Sequence, residues 1–228
     1  MDVGTTAPYE HALRTGHHLA MRTSDGRLID LDVARWLADT DAGDATVLDR
    51  CAGPVLDVGC GPGRFVSSLG HRGIAALGVD IAATAVRLTR NRGLPVLLRD
   101  VFTRLPGEGR WPTALLMDGN VGIGGDPPAL LARIRAILAA GGQVIVEAHA
   151  DLDAHRLMTA RFVRDGSEVG ARFRWAELGL DAVLRYAAAT GFAIADTWSV
   201  DGRTFACLVR RPRHLAATVA GDPHRVQR

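Results

Sequence analysis

Val55-Leu56-Asp57-Val58-Gly59-Cys60-Gly61-Pro62-Gly63-Arg64-Phe65 is the stretch whose reading decides the fold. A short apolar run ends in an acid, a glycine-dense turn follows, and Phe65, Val66 and Leu69 then repeat at helical spacing. Strand, tight loop and helix in that order form the unit in which α/β proteins seat nucleotide-like ligands. Gly59 and Gly61 admit backbone angles and close approaches that a Cβ blocks, and Gly63 lets the helix start near the strand. Free amides at such a turn meet a carboxylate or a phosphate. The spacing is Gly-x-Gly-x-Gly. A dinucleotide fingerprint, Gly-x-Gly-x-x-Gly, needs a glycine where Arg64 stands.

Two further apolar runs end in acids: Ala75-Ala76-Leu77-Gly78-Val79-Asp80, and Pro95-Val96-Leu97-Leu98-Arg99-Asp100-Val101. A carboxylate about twenty residues past a glycine loop is placed to accept hydrogen bonds from ribose hydroxyls. With Asp57 on the first strand, the pattern closely resembles motif I of the class I S-adenosylmethionine (SAM)-dependent methyltransferases, Asp-x-Gly-x-Gly-x-Gly. The resemblance covers residues 50–210. It implies that Asp57, Gly59, Cys60, Gly61 and Gly63 hold the amino-acid end of SAM, and that Asp80 binds the ribose. It also implies that Ile81 packs on the adenine and that Asp100, with Val101 beside it, meets the adenine amino group.

Met117-Asp118-Gly119-Asn120-Val121-Gly122-Ile123-Gly124-Gly125-Asp126-Pro127 follows the fourth strand of this pattern and faces the same space. Asp118 or the Gly119 backbone is expected at the methionine portion of SAM, Asn120 on the substrate side, and the glycines as places of close approach to a ligand. Asp126 is an alternative helix cap. The loop lacks the Asn/Asp-Pro-Pro-Tyr/Phe signature of enzymes that methylate amino groups of nucleic-acid bases. Glu147 and His149 alternate at the end of the fifth strand, and His149 is the candidate general base, its ordinary pKa suiting neutral pH. His17 and His18 read as exposed residues of an N-terminal segment that folds over the site. No metal is expected, because the adjacent Asp-Asn pair of the catechol-type metal-dependent enzymes is missing.

The expected architecture is a Rossmann-like α/β class I methyltransferase sheet. It is mostly parallel, with seven strands, an antiparallel last hairpin, helices on both faces and an N-terminal helical cap over 1–50. Within that cap, helices are expected near 9–21, through Val33, Trp36 and Leu37, and over 45–51, with a turn at Asp25-Gly26. The methyltransferase domain spans 51–211. Its strands are placed at 54–58, 75–79, 95–99, 113–118, 142–148, 192–199 and 203–210, and its helices at 63–71, 82–92, 127–139 and 180–190. Residues 155–176 form a hairpin lid about Asp165-Gly166, carrying Arg161, Arg172, Arg174 and Trp175 for an anionic or aromatic acceptor. Residues 212–228 read as a flexible tail.

Composition narrows the function classes. The net charge is +2 and every one of the 27 basic side chains is arginine, a mark of coding bias rather than of a recognition surface. No dense basic block interleaves with aromatics, which argues against a nucleic-acid partner. No apolar stretch is long enough to cross a membrane, and the N-terminus lacks a secretory pattern. Cys51, Cys60 and Cys207 are scattered, without metal-ligand spacing, and suit a reducing cytoplasm. The expected activity is methyl transfer from SAM to an O or N atom of a small-molecule acceptor, leaving S-adenosylhomocysteine. Two rivals are a SAM-binding protein that regulates or cyclises without methyl transfer, and a nicotinamide oxidoreductase, which Arg64 argues against.

Overall fold

The computed structural model describes residues 3–211. The chain begins with α1 (Val3–Thr15), then β1 (Leu19–Thr23) and β2 (Leu28–Leu31), then α2 (Val33–Leu37) and α3 (Ala42–Leu48). The N-terminal cap is therefore only partly helical, which corrects the helix expected over 9–21. Leu19, Ala20 and Met21 are all buried, a consecutive apolar run that suits a covered strand and not one face of a helix. Asp25-Gly26 turns the chain between β1 and β2, and Asp32 caps α2 by accepting from the Arg35 amide. A capping box of Asp41 and Asp44 starts α3.

Alternation follows: β3 (Val55–Val58), α4 (Arg64–His71), β4 (Ala76–Asp80), α5 (Ala83–Asn91), β5 (Val96–Leu98), β6 (Trp111–Leu116), α6 (Pro127–Ile137) and β7 (Leu138–Ala148). A 3-10 segment, Asn120–Gly125, links β6 to α6, and Asp126 caps α6. The last part comprises β8 (His155–Arg164), β9 (Ser167–Leu178), α7 (Leu180–Ala189), β10 (Phe192–Val200) and β11 (Arg203–Arg210). β7 already starts at Leu138, ahead of the strand expected over 142–148.

The main sheet has seven strands in the order β10-β11-β7-β6-β3-β4-β5. β5, β4, β3, β6 and β7 run parallel, while β11 is antiparallel to both neighbours. Both faces are covered, so its strands read as continuous apolar runs. Leu56, Leu116, Val144 and Val146 pack toward Leu130, Ile134 and Val183, whereas Val55, Leu115 and Ile145 pack with Phe65, Leu69 and Phe205. Each fully buried leucine contributes about 2 kcal/mol of transfer free energy.

A second sheet, β2-β1-β8-β9, is entirely antiparallel. The hairpin expected about Asp165-Gly166 is present and pairs Arg164 with Ser167. Its other edge is joined by β1, with Met21 opposite Phe162. The lid is thus a four-stranded sheet, half of it built from the N-terminal segment. The tail expected over 212–228 lies outside the described residues.

Candidate active site

The carboxyl ends of the parallel strands open into a cavity of about 420 Å³. Asp57, Gly59, Gly61, Asp80, Ile81, Asp118, Gly119, Asn120, Glu147 and His149 line it from the main sheet. Met21, Ile29, Leu31, Phe162, Phe173 and Trp175 line it from the antiparallel sheet, and Tyr9 and Trp36 from the N-terminal helices. A side cavity of about 130 Å³ shares Gly59, Asp80 and Ile81 and adds Asp100, Val101 and Phe102.

The glycine loop is held in shape from behind. Asn120 donates its amide N–H groups to the Val58 and Gly59 carbonyls at 2.9 and 3.0 Å. A Cβ on Gly59, whose φ is +71°, would stand 2.6 Å from that amide nitrogen, so the position requires glycine twice over. Asp80 accepts from Gly61 N at 2.9 Å through Oδ2 and from Ala82 N at 2.7 Å through Oδ1. Each of its oxygens keeps a second lone pair. Burial pushes the Asp80 pKa up to about 6 against the pull of these backbone donors.

Asp57 differs from Asp80. It is buried, and its Oδ2 has no hydrogen-bond partner. Desolvation raises its pKa to about 7; the Arg64 charge opposes this, and Asp118 and Asp80 add to it. An orphaned buried carboxylate oxygen beside a glycine loop suits a cationic ligand group, and the α-ammonium of SAM is one.

Behind these groups runs a buried ionic network. Arg64, the first residue of α4, donates to Asp44 from Nε at 3.0 Å and to Asp118 from Nη2 at 3.0 Å. Asp118 sits at φ +52°, and its amide donates to Glu147 at 2.9 Å. Arg203 of β11 donates to both Glu147 oxygens at 2.8 and 2.9 Å and lies 2.9 Å from Asp44. Burial would raise Glu147, but the Arg203 hydrogen bonds and charge leave it lowered; Asp118 stays raised by burial against the pull of Arg64.

Of the site residues singled out in the sequence, Asp57, Gly59, Cys60, Gly61, Asp80, Ile81, Asp118, Gly119, Asn120, Glu147, His149 and Trp175 line the main cavity. Asp100 and Val101 line the side cavity, and Asp100 accepts from the Phe102 amide. Gly63 lines neither and serves as the N-cap of α4. Cys60 is buried and its thiol is pushed up by burial, so it offers no thiolate. His149 accepts the Asp151 N–H at Nδ1 at 3.0 Å, which puts the proton of the neutral ring on Nε2. His17 and His18 are exposed and do not line the cavity. Among the described residues no three of His, Cys, Asp and Glu are grouped to hold a metal.

Sequence reasoning missed Tyr9, Trp36 and the ionic partners Asp44 and Arg203, whose sequence neighbours carry no motif. Two of the glycines after β6, Gly122 and Gly125, meet protein rather than the cavity. A Cβ on Gly122 would run into the Ala176 carbonyl oxygen, and one on Gly125 would stand 2.9 Å from Trp175 N, so this loop abuts β9 and holds the roof down. Gly122→Ala is expected to cost about 2–4 kcal/mol of stability through forced backbone movement. Thermal unfolding checks this, and an unchanged melting temperature would show that β9 yields freely.

Comparison with known proteins agrees with the geometry. A family model described as methyltransferase domain matches residues 27–195. No curated protein matches the chain. Among solved structures, a SAM-dependent methyltransferase from Bacteroides fragilis in complex with S-adenosylhomocysteine superposes with a TM-score of 0.76 at 18% identity, covering 93% of this chain and 98% of the other. A sugar N-methyltransferase from Streptoalloteichus gives 0.55 at 18% identity, with 75% and 88% covered. The 1,6-didemethyltoxoflavin-N1-methyltransferase of Burkholderia thailandensis gives 0.53 at 20% identity, with 73% and 74% covered. With more than half of its length inside the family model and a seven-stranded sheet whose last hairpin is antiparallel, the chain belongs to the methyltransferase-domain family and has the class I SAM-dependent methyltransferase fold.

Proposed function

We propose that this protein transfers the methyl group of SAM to an O or N atom of a small-molecule acceptor. The unpartnered buried Asp57 oxygen beside the glycine loop carries this reading. When bound, SAM supplies an electrophilic methyl carbon: the acceptor's lone pair forms the new bond, the carbon–sulfur pair stays on sulfur as S-adenosylhomocysteine is left, and the acceptor's proton goes to solvent.

The chain's residues hold and align. Asp57, with the Gly59, Cys60 and Gly61 loop, receives the amino-acid end, and Gly63 sets the helix behind it. Asp80 offers its two free lone pairs to the ribose diol. Ile81, Asp100 and Val101 border the adenine, and Asp118 and Gly119 flank the methionine portion. Asn120 acts through the loop it ties down. His149, whose Nδ1 is occupied by the Asp151 N–H so that the neutral ring carries its proton on Nε2, meets the acceptor as a donor that orients it. The antiparallel sheet lines the cavity from above with Met21, Ile29, Leu31, Phe162, Phe173 and Trp175.

The structural neighbours support a small acceptor: one is a sugar N-methyltransferase, and another was solved with 1,6-didemethyltoxoflavin and S-adenosylhomocysteine bound. No helix of the described residues is long and apolar enough to cross a membrane.

Calorimetric titration with SAM, S-adenosylhomocysteine and NADPH tests the reading. SAM and S-adenosylhomocysteine should bind, NADPH should not, and an acceptor screen should release S-adenosylhomocysteine. Binding of NADPH alone overturns it. Asp80→Ala should weaken SAM binding by roughly 1–3 kcal/mol through lost charge-assisted hydrogen bonds. Unchanged affinity would remove Asp80 from the ribose site.

A further inference from the structure

The part of the cavity that cofactor binding leaves over is roofed by rings. Phe162 and Phe173 lie 4.8 Å apart between centroids, tilted by 36°, and Phe173 meets Trp175 edge-on at 6.4 Å. Trp36 stands edge-on to Tyr9 at 5.6 Å. Trp36, Phe162 and Trp175 are only half-buried although all three line the cavity, so aromatic surface faces into it. Strand alternation explains the selection. Phe173 and Trp175 of β9 turn inward while Arg172 and Arg174, which alternate with them, are exposed, and Arg161 pairs with Glu168. The arginines expected to recruit an anion do not line the cavity.

The remaining charges in the wall are matched. Arg64 is held by Asp44 and Asp118, and Glu147 by Arg203. Glu177 lies 2.9 Å from Arg27 and 3.5 Å from Arg156. Asp80 is engaged by two backbone amides, and Asp57 is taken by the cofactor's ammonium group. Among the described residues that line the cavity, a carboxylate or phosphate acceptor would find no free cation, and an amine no free carboxylate. A sugar fares no better. Its several hydroxyls would lose water against Met21, Ile29, Leu31 and the rings and gain few partners in return.

We propose that the acceptor is an uncharged planar aromatic molecule, stacked beneath Phe162, Phe173 and Trp175, with its methylated O or N turned toward the main-sheet side of the cavity. The assignment rests on SAM occupying the glycine-loop side. His149, which lines the cavity, then supplies a neutral donor. It donates from Nε2, whereas the Tyr9 hydroxyl, kept protonated by burial and the Asp80 charge, stands beside Gly61 on the cofactor side.

The test separates the two readings. Calorimetry of S-adenosylhomocysteine binding probes the cofactor side, and its absence would sink that reading. On protein saturated with S-adenosylhomocysteine, 2-naphthol, glucosamine and benzoate are then titrated. 2-Naphthol should bind most tightly. Trp175→Leu and Phe162→Leu, which keep an apolar side chain and remove a ring, should each weaken 2-naphthol about three- to tenfold while leaving S-adenosylhomocysteine affinity within about twofold. Tighter binding of glucosamine or benzoate overturns the proposal. So does 2-naphthol binding that neither substitution changes, or no 2-naphthol binding to protein that holds S-adenosylhomocysteine.

Discussion

Asp57→Asn is expected to raise the melting temperature at pH 8 by several degrees while weakening SAM binding more than about a hundredfold. The two effects share one cause. In the folded chain the Asp57 carboxyl keeps its proton up to about pH 7, because it is buried and half unpartnered. Unfolded, it ionises near its ordinary value of 3.8. Between those values the folded state binds more protons than the unfolded one. Stability from this group is therefore complete below pH 4 and falls as pH rises toward 7, by roughly 4 kcal/mol over the window. Asp80, raised to about 6, adds a smaller trend of the same sign, which the substitution leaves in place. An asparagine at 57 does not titrate, so the stability difference between variant and wild type should be small at pH 4 and largest at pH 8. Adding SAM should reverse the order, because only the carboxylate gains a cationic partner and only the wild type recovers its ionisation cost. Differential scanning calorimetry at the two pH values, with and without SAM, reads all four states. A difference that stays flat with pH would falsify the account of Asp57 as a strained acid kept for the cofactor.

The parts legible in the sequence were those governed by local rules. Strand ends at Val58, Asp80 and Leu98, the Asp126 cap and the Asp165-Gly166 turn follow from periodicity and turn chemistry a few residues at a time. Pairing between distant segments was not legible. Nothing near Leu19 announces that its strand partner is β8, some 140 residues on, because only the assembled roof buries Met21 against Phe173. The same holds for Gly122, which reads as ligand contact until β9 is seen against it. His149 was found as a cavity residue, but its tautomer depends on the Asp151 amide, a matter of backbone path and not of pattern. Arg64 entered only as the residue that breaks a dinucleotide motif, since its partners Asp44 and Asp118 stand far from it on either side.

Arg64→Ala should be the most damaging single change in the site, costing about 3–5 kcal/mol of stability. The guanidinium is 4% exposed and its two carboxylate partners come from different elements, so it joins α3 to the turn after β6. Without it, Asp44 keeps Arg203 at 2.9 Å and Arg35 at 3.3 Å, but Asp118 keeps only Arg35 Nε at 3.7 Å. Asp118 also holds a positive φ, so the loop it anchors loses its tie where the backbone is least relaxed. Arg64→Lys should recover less than half of the loss, because one ammonium on a flexible stem cannot span both carboxylates. A double-mutant cycle with Asp118→Asn should show coupling of about 1–3 kcal/mol, and strict additivity would remove the pair from the network. One further consequence links this position to Asp57. The Arg64 charge restrains the rise of the Asp57 pKa, so its loss should push that ionisation above pH 7 and extend the decline of stability to higher pH. A pH–stability profile of Arg64→Ala that keeps the wild-type shape, merely lowered, would uncouple the two residues and leave Arg64 a purely structural clamp.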